Sequence, residues 1–309
     1  MRWAFATLNG MVRRVFFGMV AVLFAASLAC ADVATTRPMP GVTFERGVEN
    51  DPPLKYFVVS VNLDDPRVHL KVLRGSGVAI PALPWETTLM PVSKMAERDG
   101  VSIAVNGNLF MAREGPWIFG RRVPYFSGNS ALVCGWAMSD GVVYSLYPHD
   151  RNWPSLVVND RGEVRIGTFE NLPGDAREVV SGIFQIVTDG HNTADASSLA
   201  QSAPRTGMGI DRAGKKLILF VADGRRPDYS AGVTYRRVAE EMMARGAWDA
   251  IALDGGGSTT LVMRDGQGKV QLINRPSDGH DLAVDLSVER SVGNALGVVI
   301  DGATMQQSH

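Results

Sequence analysis

Short apolar runs broken by turn residues fill the chain from residue 54 onward, and their length and alternation predict strands. The runs are Tyr56–Asn62, Val68–Leu73, Val101–Val105, Ala131–Met138, Val142–Leu146, Val179–Ser181, Gly207–Asp211, Leu217–Val221, Ala250–Leu253, Thr260–Met263, Val270–Ile273 and Leu296–Ile300. Asp140-Gly141, Asp160-Arg161-Gly162 and Asp211–Gly214 carry hairpin-turn chemistry between neighbouring runs. Two segments show the helical period instead. Thr234 to Arg245 gathers Val238, Ala239, Met242 and Met243 on one face, with Thr234 as a cap and Gly246 as a stop. A shorter helix runs from Val92 to Arg98 and ends at Gly100. Each helix precedes an apolar strand. That order inside a strand-rich chain predicts an α+β fold, a single β-rich domain with a mixed sheet and a few flanking helices.

Ahead of this pattern the chain changes character twice. Arg13 and Arg14 precede an apolar run from Val15 to Ala29, and Ala29-Cys30-Ala31 is a small-x-small site before Asp32. Residues 1–31 therefore read as a secretory signal, which predicts an exported protein, periplasmic or secreted. Lipid attachment at Cys30 is the rival, although Ser27 stands where such signals carry Leu. No later run is long enough to span a bilayer. Asp32 to Pro53 holds Pro38, Pro40, Pro52 and Pro53 with little periodicity and reads as a linker or N-terminal arm. The domain is expected over 54–303, with 304–309 as a tail.

Composition narrows the partners. The chain is 45% hydrophobic and 20% charged, with 31 basic and 32 acidic residues, which suits a folded globular protein rather than a disordered chain. No basic stripe appears, so a nucleic-acid partner is not expected. Cleavage of the signal removes Arg2, Arg13 and Arg14 and no acid, taking the formal net charge from −1 to −4. It leaves Cys134 alone, so no internal disulfide can form.

The chemistry collects where polar, glycine-rich clusters follow strands, because loops on a rigid sheet are where sites are built. Asn106-Gly107-Asn108 follows one strand, Asp223-Gly224-Arg225 a second, Asp254-Gly255-Gly256-Gly257-Ser258 a third and Asn274-Arg275-Pro276-Ser277-Asp278 a fourth; Pro204-Arg205-Thr206 precedes a fifth. Taken singly, each Asp-Gly or Asn-Gly is ordinary turn chemistry. Three glycines after an aspartate exceed what a turn needs, and Gly255, Gly256 and Gly257 are placed to form an anion-binding nest. Arg205, Arg225 and Arg275 offer forks for a phosphate or carboxylate, or partners for the aspartates. Asp223, Asp254 and Asp278 offer an acid, base or nucleophile. No phosphate loop, dinucleotide fingerprint, zinc-helix motif or serine elbow is present, the five histidines are scattered, and neither metal nor cofactor is indicated.

In their order these motifs resemble the phosphodiester glycosidase family, over about residues 90–300. The resemblance rests on Val105-Asn106-Gly107, Pro204-Arg205-Thr206, Val221-Ala222-Asp223-Gly224-Arg225, Leu253-Asp254-Gly255-Gly256-Gly257-Ser258, Asn274–Gly279 and Arg290–Gly297. Two departures stand out. Asn108-Leu109-Phe110 replaces the usual Gly-Phe-Phe, and Gly182-Ile183-Phe184-Gln185 replaces a Gly-Gly-Pro element. Phe110 to Asn129 adds Trp117, Phe119, Arg121, Arg122 and Tyr125, a candidate sugar-stacking lid whose aromatics equally suit a core.

The resemblance implies a hydrolase that cleaves the sugar C1–O bond of a glycosyl-1-phosphodiester to free sugar and phosphomonoester. Arg205, Arg225 and the glycine nest would then meet the phosphate. Asp254, with Asp223 or Asp278, would serve the anomeric carbon. Asn106, Thr206, Ser258, Asn274 and Arg275 would bind substrate. The substrate would be a sugar-phosphate-containing glycan or envelope polymer. Two rivals are a non-catalytic envelope protein that binds such polymers and a phosphodiesterase that breaks the P–O bond.

Overall fold

The computed structural model describes residues 32–75, 85–118, 121–145, 153–194, 201–278 and 287–302. The expected export signal, Cys30 and the 304–309 tail lie outside them. An eight-stranded sheet runs in the spatial order Asp32–Met39, Val42–Asn50, Pro53–Asn62, Lys216–Ala222, Arg205–Ile210, Asp249–Ala252, Phe184–Thr188, His191–Asn192. A five-stranded sheet runs Val270–Leu272, Leu261–Arg264, Ile103–Asn106, Asn294–Ile300, Val68–Arg74. Alternate residues meet in one apolar core: Val59, Met208 and Leu219 from the first sheet, Val105, Leu261 and Leu296 from the second. A further five-stranded sheet, which includes Pro154–Asn159 and Ala176–Ser181, closes that core with Leu156 and Val180.

The period-2 pattern leaves the other face of each large sheet apolar too, and a helix covers each. Helix α1 (Val92–Asp99) packs Met95 and Ala96 against Ala104, Val262 and Ala295, and it ends at Gly100 with φ +71°. Helix α2 (Tyr235–Ala244) packs Val238, Ala239 and Met242 against Phe220, Ala250 and Ala252. Its Thr234 cap accepts the Arg237 N–H at 3.2 Å, as the sequence predicts. The fold is thus mainly β with two α-helices among the described residues. The three expected hairpins form as well.

Two expectations are corrected. The mixed sheet is absent, because every strand pair among the described residues is antiparallel. Helix α2 does link two strands that run the same way, Lys216–Ala222 and Asp249–Ala252. The Arg205–Ile210 strand lies between them and is antiparallel to both. Residues 32–50 are not an arm but two strands of the large sheet, the second of them in register with Pro53–Asn62 over its whole length. The prolines concealed this: Pro40 lies in the turn with Gly41, and Pro53 opens a strand, where no ladder donor is lost.

Glu178 ties two sheets together. Its carboxylate accepts the Val72 N–H at 2.6 Å and the Asp140 N–H at 2.8 Å, and burial pushes its pKa up to about 7. Glu178→Gln replaces one acceptor by a donor that faces an N–H. It is expected to cost about 1–3 kcal/mol in denaturant unfolding. An unchanged midpoint would show that the two sheets do not depend on this tie.

Candidate active site

The motif loops converge because strand ends do. Asn106 closes its strand, Ala222 and Ala252 close theirs, and Arg205 and Asn294 open theirs, all at one end of the paired sheets. Two asparagines then lock the loops. Buried Asn106 donates from Nδ2 to the Asp254 carbonyl at 2.7 Å, and its Oδ1 accepts the Thr206 hydroxyl at 2.7 Å and the Thr260 N–H at 3.1 Å. Asn274 donates to Asp223 Oδ1 at 3.1 Å and the Thr259 carbonyl at 3.0 Å while accepting the Leu261 N–H at 2.7 Å. Both side chains, and the Thr206 hydroxyl with them, are spent on holding the 254–261 segment rather than turned to solvent.

The three aspartates have different fates. Asp223 is 1% exposed, and its carboxylate takes the Asn274 amide, the Arg275 N–H at 2.9 Å and the Tyr229 hydroxyl at 3.1 Å. Burial raises its pKa against the pull of these donors. Asp278 is held by a two-bond fork from Arg290, 2.7 Å to Nε and 2.9 Å to Nη2. Asp254 has no ion pair among the described residues, and its Oδ1 accepts only the Gly255 N–H at 2.9 Å. Burial lifts its pKa to about 6; the Ser258 hydroxyl, the Gly255 N–H, Arg290 and Arg225 each pull it back. The Ser258 Oγ is fully buried and meets no partner in hydrogen-bond geometry. Its influence on Asp254 is therefore that of a nearby dipole.

The glycine run forms a single 3-10 turn, Gly256–Ser258. Its N–H groups are largely used within the protein. Gly255 donates to Asp254, Gly256 to the Pro204 carbonyl at 2.9 Å and Ser258 to the Gly255 carbonyl at 3.2 Å. The expected anion nest is thus largely spent: one N–H holds the Asp254 carboxylate and two hold backbone carbonyls. Glycine is needed for space. A Cβ on Gly256, whose φ is +62°, would lie 2.7 Å from Arg225 Nη2, and one on Gly257 would lie 2.1 Å from Asp278 Oδ1. These two glycines let Arg225 and the Arg290–Asp278 pair close onto the turn.

The arginines divide likewise. Arg225 is exposed, occupies left-handed backbone at φ +61° and makes no hydrogen bond or ion pair among the described residues. Arg205 stacks on Tyr235 at 4.0 Å from the ring centre and donates to its hydroxyl at 2.9 Å and to the Gln201 carbonyl at 3.0 Å. Arg275 lies over Tyr229 and donates to Ser287 at 2.9 Å. Arg225 is therefore the open fork beside Asp254, while Arg205 and Arg275 hold loops.

Sequence reasoning gave no catalytic weight to three residues here. Arg290, seen only within the terminal motif, both neutralises Asp278 and bears on Asp254, and its guanidinium lies 4.0 Å from the Tyr125 ring centre. Tyr235, the first residue of α2, feels the Asp254 charge. Phe184 is 40% exposed and meets Tyr235 edge-on at 5.8 Å. Within the expected lid, Trp117 is exposed under Arg122, Tyr125 reaches the site through Arg290, and Phe119 lies outside the described residues.

A family model described as phosphodiester glycosidase matches residues 99–299, which include all five clusters. Among solved structures, the chain resembles the zebrafish N-acetylglucosamine-1-phosphodiester alpha-N-acetylglucosaminidase catalytic domain, auto-inhibited by its pro-peptide. Identity is 19%, the TM-score 0.57, and the match covers 89% of this chain and 85% of that one. A hypothetical protein from Synechocystis follows at 15% identity and TM-score 0.55, covering 88% of this chain and 68% of that one. A putative exported protein from Burkholderia pseudomallei gives 15% and 0.54, covering 80% and 74%. At these identities the structures share the fold. No curated protein matches the chain by sequence.

Proposed function

Because the chain belongs to the phosphodiester glycosidase family and is accordingly a hydrolase of glycosyl phosphodiesters, we propose that it is exported and cleaves the sugar C1–O bond of glycosyl-1-phosphodiesters at Asp254. The observation that supports this reading is the pairing of two unequal charges. Asp254 is a buried carboxylate with no ion pair among the described residues, and the uncommitted Arg225 fork lies against the same glycine turn. A phosphate monoester leaves readily once its charge is met, so the site needs an anion-binding fork more than a strong general acid. Arg225 supplies that fork, and Asp254 supplies the negative charge against which the anomeric centre turns positive. Arg290 keeps Asp278 neutralised and the turn in place.

Export is proposed from the Val15–Ala29 run and the small-x-small site after it. No described helix is long and apolar enough to cross a membrane. For the substrate we propose a sugar-phosphate-containing glycan or envelope polymer. N-acetylglucosamine-1-phosphodiesters, the class for which the zebrafish relative is named, are the first to try.

The test is a panel of glycosyl-1-phosphodiesters in labelled water, with both products identified. The expected result is free sugar carrying the isotope and an unlabelled phosphomonoester. Label in the phosphate would show P–O cleavage and overturn the assignment of Asp254 to the anomeric carbon. Binding without turnover across the panel would make the chain a glycan-binding member of the fold.

A further inference from the structure

Beyond naming the reaction, the order of strands sets two sides of different chemistry about Asp254. At the site end of the large sheet, Lys216–Ala222 leads to Arg225, Arg205–Ile210 comes next, Asp249–Ala252 leads to Asp254, and Phe184 opens the strand after that. Neighbouring strands lie about 4.8 Å apart, so three steps separate the strand that leads to Arg225 from the strand that Phe184 opens, roughly 14 Å across, with the Asp254 strand between them. Backbone alternation puts Phe184 on the α2 side of the sheet. Phe184 and Ala252 are cross-strand partners, Ala252 packs under α2, and the Phe184 ring meets Tyr235 of α2 at 5.8 Å.

The two ends differ in chemistry. On one side stands a guanidinium with no partner among the described residues. On the other stands a phenyl ring, 40% exposed, backed by Tyr235, whose hydroxyl is already taken by Arg205. An exposed phenyl at the rim of a site offers no hydrogen bond and repels an anion's hydration shell, but it suits the C–H face of a pyranose ring. On the Phe184 side the Arg205 guanidinium is engaged with Tyr235 and the Gln201 carbonyl, whereas on the other side Arg225 has no such partner among the described residues and attracts phosphate.

We propose, resting on the glycosidase reading, that Phe184 with Tyr235 behind it is the platform for the sugar ring. The sugar of the glycosyl phosphodiester lies on the Phe184 side of Asp254, and the phosphate and its ester group lie on the Arg225 side. Phe184 is thus a specificity-determining residue that meets the substrate but takes no part in bond breaking.

Wild type, Phe184→Ala and Phe184→Tyr are compared on the methyl and octyl phosphodiesters of the panel's best sugar 1-phosphate, and by calorimetry with the free sugar. Phe184→Ala should raise KM about tenfold for both esters with kcat within about twofold, and should weaken binding of the free sugar to the same extent. Phe184→Tyr should restore both, and all three proteins should melt alike, since the ring is partly exposed. A loss confined to the octyl ester would place the ester group on Phe184 and overturn the proposed orientation. Unchanged KM and unchanged sugar binding in Phe184→Ala would remove the platform altogether. If wild type turns over nothing, the hydrolase reading of the site fails, and the calorimetric comparison still decides whether Phe184 carries a sugar.

Discussion

Asp254→Asn is expected to lose roughly a thousandfold or more in kcat/KM on a glycosyl-1-phosphodiester while folding as well as the wild-type protein or better. The two halves of this expectation have one cause. A carboxylate kept from water is costly to ionise, which is why Asp254 titrates near pH 6 rather than near an ordinary aspartate's value of about 3.9. In the folded protein it binds its proton more tightly than in the unfolded chain. Stability from this group therefore falls as pH rises between about 4 and 6, and stays lower above that. The difference amounts to about 3 kcal/mol at pH 7. An asparagine keeps the oxygen that accepts the Gly255 N–H and removes the charge, so the variant recovers part of that energy. Activity has the opposite dependence, because only the ionised carboxylate stabilises a cationic anomeric centre. Wild-type kcat/KM should climb with pH up to about 6 and then level, and the residual rate of Asp254→Asn should lack that limb. A variant that unfolds at lower denaturant than wild type would instead make Asp254 part of the framework.

The features legible in the sequence were local. Turn chemistry, the Thr234 cap and the period of each strand depend on near neighbours, so the five clusters, both helices and the three hairpins could be placed from the chain alone. Pairing and charge neutralisation are decided between distant residues. Nothing within the Asp223 motif announces that Asn274 and Arg275 will consume its carboxylate, and Asp278 looks as available as Asp254 until Arg290 folds back on it. The insertion of Arg205–Ile210 between the two strands that α2 connects is equally silent, since periodicity marks a strand but not its neighbours. Phe184 enters the sequence only as part of a departure from the family pattern, in a stretch where no strand is expected, and only the edge-on contact with Tyr235 and its exposure turn it toward the site.

Asp223, offered by its motif as an equal candidate for catalysis, is expected to behave as the converse of Asp254. Asp223→Ala strands the Arg275 N–H, the Asn274 amide and the Tyr229 hydroxyl in a place that is 1% exposed, and should destabilise the fold by about 3–5 kcal/mol, with a melting temperature lower by roughly 10 °C. Asp223→Asn is the informative partner. Its one remaining oxygen can keep the Arg275 and Asn274 donors, while the new amide donates to a Tyr229 hydroxyl that turns to accept. The cost should then fall to about 1–2 kcal/mol. Because Asn274 also fixes the Thr259 carbonyl and the Leu261 N–H, the segment carrying Asp254 should survive in Asp223→Asn and loosen in Asp223→Ala. Activity should follow: close to wild type in the asparagine variant at temperatures where it is folded, and lost in the alanine variant in step with its unfolding. Denaturant curves and kinetics on the same preparations decide the point. A stable Asp223→Asn protein that has lost a thousandfold in kcat would place Asp223 beside Asp254 as a second catalytic carboxylate, and the site would then work with two.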